Sequence, residues 1–183
     1  MNSYIATFHT HFSAQCTARA MMKAGINAKM APVPRSLSTD CGTCVRYEAA
    51  TPLSELMHAD YDAIYAVKDG SYSYESPEFD GNGYKDQVSM TIKDGKITAL
   101  TWDCVDKDGK KKSNLSMNGE YVMTEDGPKW HEQAESVVAY VLENQSLDGL
   151  INEDGYTDAI ASVSINLYGF TGGVEDCLKQ ASR

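Results

Sequence analysis

The chain has 183 residues and a mass of 20.0 kDa, room for one large domain or two small ones. Its 42% hydrophobic and 23% charged residues are ordinary globular usage and exclude a disordered chain. Sixteen Lys and Arg against 26 Asp and Glu leave a net charge of −10, which argues against a nucleic-acid binder.

Tyr4-Ile5-Ala6-Thr7-Phe8 is short and rich in strand formers. Phe12, Cys16, Ala20 and Met21 then recur at helical spacing, with Gly25 as the stop. Residues 28–33 alternate small or apolar with polar and end at prolines, as a strand does. Val45-Arg46-Tyr47 is a third strand. Pro52 to Met57 reads as a short helix with Thr51 as N-cap and Pro52 at its first position. Residues 62–67 close the module as a strand. The order β-α-β-β-α-β points to a ferredoxin-like two-layer sandwich over residues 1–67.

Beyond it, Ser71–Tyr74 is a candidate strand. Val88–Ile92 and Ile97–Trp102 pair around an Asp94-Gly95 turn, where Gly accepts positive φ without steric cost. A second turn follows at Asp108-Gly109, and Lys110-Lys111-Lys112 reads as a solvated tip. Ala134, Val137, Val138 and Val141 mark a helix from Trp130 to Leu142. A last helix begins at Gly169 or Gly173 and runs to Leu178. Residues 68–183 are thus an antiparallel sheet with helices, and the whole chain is α+β. Charge changes at the same point: residues 1–67 carry five cations and five anions, residues 68–183 eleven and twenty-one.

No apolar stretch approaches the roughly 20 residues that span a bilayer. The first residues lack the basic and apolar regions of a secretory signal, so the expected location is cytoplasmic, with reduced cysteines. Five cysteines, an odd number, argue against a fully paired disulfide framework. The chemical feature of the first module is Cys41-Gly42-Thr43-Cys44. Two thiols at this spacing can form a small disulfide ring, and one can lower the other's pKa. Three readings stay open: thiol chemistry, a metal site completed by His9 and His11, and structural cysteines. His58 reads as a surface residue.

Tyr4–Phe8, Pro32-Val33-Pro34-Arg35 and Ser38-x-x-Cys41-Gly42 together resemble a small bacterial family of selenium/sulfur carrier-like proteins, over residues 3–67. The resemblance implies that Cys41 carries the sulfur or selenium. Arg35 would favour its thiolate or persulfide by fixed charge. Cys44 is an addition to the family's Cys-Gly and would resolve a persulfide on Cys41, or have no role.

Asp158-Ala159-Ile160-Ala161-Ser162-Val163-Ser164-Ile165 followed by Gly169-Phe170 resembles the end of the FMN-binding domain family. The Asp69-Gly70-Ser71-Tyr72 opening and the Lys93–Ile97 hairpin extend that resemblance over residues 68–181. The family's segment runs roughly Asp-x-x-Ser-Gly-Ala-Thr, and its last hydroxyl can be esterified to FMN. Asp158 keeps the acid and Ser164 the hydroxyl, while Ala161, Ser162 and Val163 replace Ser, Gly and Ala. A phosphate needs close backbone approach and, at the Gly, positive φ. The expectation is therefore weak FMN binding or none at Asp158, Ser162, Val163 and Ser164, without covalent attachment. Tyr72, Tyr74, Tyr84, Tyr121, Tyr156 and Tyr168 are candidates to stack on a flavin ring. No G-x-S-x-G elbow makes Ser164 a hydrolase nucleophile.

Two resemblances to redox and chalcogen families lead to one expectation: a redox or sulfur-handling protein that couples a thiol module to a flavin module and meets a redox or sulfur-transfer partner protein. The alternatives are a non-enzymatic carrier with a degenerate flavin segment and a Cys/His metal-binding protein. Substrate and oligomeric state are not encoded in any motif.

Overall fold

Strand formers at alternate positions and a helix stopped at Gly25 define the first part of the chain. The structure, a computed structural model, describes residues 2–33 and 42–182. Its backbone divides into two units. One is Met1–Gly70 with Ile92–Lys96 and Leu178–Arg183; the other is Ser71–Thr91 with Ile97–Cys177. The chain is α+β, with two antiparallel sheets and four α-helices among the described residues.

The first unit runs β1 (Asn2–Phe8), α1 (His11–Lys23), β2 (Ala28–Pro32), β3 (Thr43–Ala49), a 3₁₀ turn (Ser54–Leu56) and β4 (Tyr61–Val67). The sheet order is β2-β3-β1-β4, and every neighbouring pair is antiparallel. Strand alternation sends Tyr4, Ala6 and Phe8 of β1 and Val45 and Tyr47 of β3 to one face, where α1 buries Ala14, Ala18 and Met21 against them. Tyr4 faces Tyr47 across the ladder, and their rings stack with centroids 5.3 Å apart. Full burial of side chains such as Phe8 and Met21 stabilises by about 1.5–3 kcal/mol each.

Two expectations for this unit are corrected. The α1 face against the core is Ser13, Ala14, Thr17, Ala18 and Met21; Phe12 is 64% exposed and Cys16 only half-buried. The hydroxyls take the inward positions because the chain before β4 gives them partners. Ser13 Oγ donates to Asp60 (2.7 Å), and Thr17 Oγ1 accepts from His58 N (2.9 Å). The second correction is at Pro52–Met57, where only the Ser54–Leu56 turn is helical. Leu53 takes φ +53 and Met57 is extended, which limits the coil to one turn. So short a segment does not overcome the cost of helix nucleation, and it instead packs Leu53, Leu56 and Met57 on the core.

The rest of the chain runs β5 (Gly70–Glu75), β6 (Lys85–Lys93) and β7 (Lys96–Val105), in that spatial order, then α2 (Lys112–Met117), α3 (Trp130–Asn144) and α4 (Tyr168–Ala181); most of it forms the second unit, while the β6–β7 turn and the last residues of α4 are counted in the first. The β6–β7 turn has Asp94 and Gly95 at φ +51 and +68, the paired left-handed geometry of a tight hairpin. Asp69 clamps it, accepting from Asp94 N (2.9 Å) and Gly95 N (3.2 Å). Gly169 and Gly173, one turn apart, let α4 close on β6. A Cβ at Gly169 would lie 1.9 Å from Asp86 Oδ2, and one at Gly173 would lie 2.5 Å from Val88 Cγ2. Trp102 fills the space between, its ring 5.4 Å from Trp130 and 5.0 Å from Phe170.

Lys112 corrects a third expectation. Only Lys110 and Lys111 are exposed. Lys112 opens α2 and is 7% exposed, its Nζ lying 4.5 Å from the ring centres of Tyr84 and Tyr121 and 5.3 Å from that of Trp130. The ring quadrupoles replace the water that the ammonium loses. Residues 158–165 form no strand; the chain there is irregular up to α4.

Candidate functional site

In the first unit Gly42 precedes β3, and Thr43 and Cys44 open it. Val33 N donates to Gly42 O (3.2 Å), so β2 and β3 stay bonded up to Gly42. Cys41 and Arg35 lie outside the described residues. Cys44 is fully buried, packed with Ile5 and Val33, and its S–H donates to Pro32 O (3.3 Å). Thr43 points the other way along the strand and meets His11, with Nδ1 3.0 Å from Thr43 Oγ1.

The histidines do not share a strand face. β1 stops at Phe8, His9 follows it, and His11 opens α1. Among the described residues no three His, Cys, Asp or Glu side chains group as metal ligands. His58 is half-buried, its Nδ1 accepting from Asp60 N (3.2 Å) and its ring edge-on to Phe12. Asp60 accepts from Ser13 Oγ (2.7 Å) and from the N-cap Thr10 Oγ1 (3.1 Å). The Ser13 bond is the chief reason its carboxyl is held below the usual range; it outweighs the opposing desolvation, and Thr10, His9 and His58 add smaller pulls in the same direction as Ser13.

In the second unit Ser162 has φ +64, the left-handed region where the resembled segment has Gly. Asp158 and Ser164 are exposed, and Val163 is half-buried. Three donors of the segment are engaged within the chain. Ser164 N donates to Gln133 Oε1 (2.7 Å), and Ser164 Oγ lies 3.5 Å from the same oxygen. Gln133 is 3% exposed, and its Nε2 donates to Pro128 O (2.8 Å), which fixes the amide with its oxygen toward Ser164. Ala159 N is likewise taken by Thr157 Oγ1 (3.1 Å). A carbonyl oxygen held against Ser164 N and Oγ disfavours a phosphate at those two donors.

Of the stacking candidates, Tyr84 and Tyr121 are committed to the Lys112 cage. Tyr168 OH donates to Glu153 O. Sequence reasoning did not find the buried polar group around Asp86. Its Oδ1 accepts from Trp102 Nε1 (2.8 Å) and Cys104 Sγ (3.3 Å), and burial first, then Asp86, pushes the Cys104 thiol up. Its members lie far apart in sequence and share no motif. A shallow depression of about 320 Å³ on the sheet of this unit, lined by Ser73, Ser89, Thr91 and Thr101 among others, holds no carboxylate, thiol, imidazole or cation. No described helix is long and apolar enough to cross a membrane.

Two solved structures are similar to the chain. A solution NMR structure from Clostridium thermocellum is 41% identical, covering 63% of this chain and 93% of that one, with a TM-score of 0.47. A crystal structure of a Clostridium perfringens protein is 26% identical, covering 63% of this chain and 88% of that one, with a TM-score of 0.48. No curated protein matches the chain. Residues 3–59, less than a third of the sequence, match the family model described as "Putative Se/S carrier protein-like", and through that match the N-terminal segment is tied to a known family.

Proposed function

We propose that the protein carries sulfur or selenium on Cys41. The observation that supports this reading is the family match over residues 3–59, which contain the Cys41-Gly42 pair. The burial of Cys44, with its S–H on Pro32 O, leaves Cys41 as the carrier within the motif. In this reading the first unit is a ferredoxin-like sandwich whose second helix has shrunk to one turn.

The chemistry is sulfane transfer. The Cys41 thiolate attacks the outer sulfur of a donor persulfide, R–S–S–H. The donor S–S bond breaks, R–S⁻ leaves, and Cys41 becomes Cys–S–S–H. Electron count is conserved, so no oxidant or flavin is needed. Arg35 supplies a fixed positive charge that favours the thiolate. Cargo then passes to a sulfur-transfer partner by the same exchange in reverse. Electron exchange with FMN has no part in this reading, because Gln133 occupies the donors at Ser164.

Intact-mass analysis after incubation with a low-molecular-weight persulfide tests it. The wild type and Cys44→Ala gain one sulfur atom and lose it on reduction, while Cys41→Ser gains none. An equal gain in Cys41→Ser overturns the assignment.

A further inference from the structure

Lys29 of β2 and Arg46 of β3 are direct partners across the antiparallel ladder. Both alternate with residues of the α1 core, such as Met30, Val45 and Tyr47, so they lie on the opposite face of the sheet. Side chains in such a pair have Cβ atoms about 4.5–5.5 Å apart, and like charges there repel. Among the described residues neither cation has an ion-pair partner. Glu48, two residues beyond Arg46 on the same face, is exposed and pairs with neither. The chain has 26 carboxylates to 16 cations, yet none of the described ones serves this pair.

A second observation concerns Arg46 alone. Its Nε is buried and is the one such side-chain atom among the described residues without a hydrogen-bond partner. A buried charged donor left unsatisfied is costly, so its persistence calls for an acceptor that the described residues do not supply. The residue as a whole is only half-buried and Lys29 is exposed, so an ion that meets Lys29 reaches Nε once the Arg46 side chain turns toward it.

One ligand class meets both demands. A guanidinium edge, Nε with its neighbouring Nη, matches two oxygens of an oxyanion, and a lysine ammonium adds a point charge to a third. We propose that this sheet face binds a small tetrahedral oxyanion, of the phosphate or sulfate class, between Lys29 and Arg46. The site is independent of the thiol chemistry, since no residue of the pair takes part in it.

The test is titration of the full chain with inorganic phosphate at constant ionic strength, followed through the ¹H–¹⁵N signal of the Arg46 Nε–H. That signal moves and saturates with phosphate but not with chloride. Lys29→Gln, an exposed change that leaves the core untouched, weakens phosphate by about tenfold or more, the worth of one charge-assisted contact. Arg46→Gln abolishes it; should that variant fail to fold, the wild-type Nε–H signal and Lys29→Gln decide. Titration with glycerol phosphate separates a free anion from a phosphate carried on a larger molecule: weaker binding than phosphate indicates the former, equal binding the latter, and both uphold an oxyanion site. An Nε–H signal unmoved by phosphate, or wild-type affinity in Lys29→Gln, overturns the proposal.

Discussion

Gln133 Oε1 accepts the backbone N–H of Ser164 at 2.7 Å, and the same amide is anchored at its other end on Pro128 O. A side chain from α3 thereby satisfies the loop that precedes α4. The same donors would have to leave Gln133 to meet a phosphate. Replacing Gln133 by Leu keeps the volume but leaves Ser164 N–H and Pro128 O without this partner. We expect a loss of about 1–3 kcal/mol, read as a lower urea midpoint with unchanged slope. A neutral substitution would show that the bond adds nothing.

Ser162 carries a left-handed backbone that suits Gly better than Ser. Ser162→Gly relieves this strain while adding some unfolded-state freedom, for a net gain of about 0.5–1 kcal/mol. Ser162→Val loses stability. Thermal unfolding of the two variants reads the difference, and a stabilised Val variant would contradict the assigned φ.

The fold was largely legible where pattern and turn chemistry agree. Val88, Met90 and Ile92 alternate inward along β6, and Asp94-Gly95 supplies the only residue pair there suited to two positive φ values in succession. The α1 face was misread because hydroxyls at Ser13 and Thr17 count as polar in a periodicity, although hydrogen bonds from Ser13 to Asp60 and from His58 to Thr17 let them be buried. Lys112 was misread for a related reason. Its burial depends on Tyr84, Tyr121 and Trp130, which only the fold brings together. At the candidate sites, Cys-Gly-Thr-Cys and the 158–164 segment stood out by motif, but Gln133 did not, because a lone Gln on a helix face carries no signal.

Lys112→Met keeps the length of the side chain and removes its charge from the three rings. The desolvated cation–π contacts are worth about 2 kcal/mol, so the variant unfolds at lower denaturant. Because the ammonium is buried, the difference persists in 1 M salt, where a surface pair is screened to a Debye length of about 3 Å. A difference that disappears in high salt would place Lys112 at the surface.

Asp60 links the base of α1 to acid stability. Its folded pKa is lowered, chiefly by Ser13. Its contribution is therefore complete above the unfolded carboxyl pKa of about 3.9 and is lost as pH falls through the lower folded value. Ser13→Ala removes the main cause, raises the folded pKa toward the unfolded one, and shrinks the stability lost on acidification. Carboxyl ¹³C titration of Asp60 in both proteins checks the direction; an unchanged midpoint would assign the shift elsewhere.

The most direct measurement is a peptide map of the persulfide-loaded protein, alkylated while folded. The described cysteines differ in access: Cys44, Cys104 and Cys177 are buried, Cys16 is half-buried, and burial together with Asp176 pushes the Cys177 thiol up to about 11. We predict that fragmentation of the peptide holding Cys41 and Cys44 places the added sulfur on Cys41, with Cys104 and Cys177 alkylated only after unfolding. Recovery of the sulfur on Cys16 or Cys44, with Cys41 bearing none, would contradict carriage at Cys41.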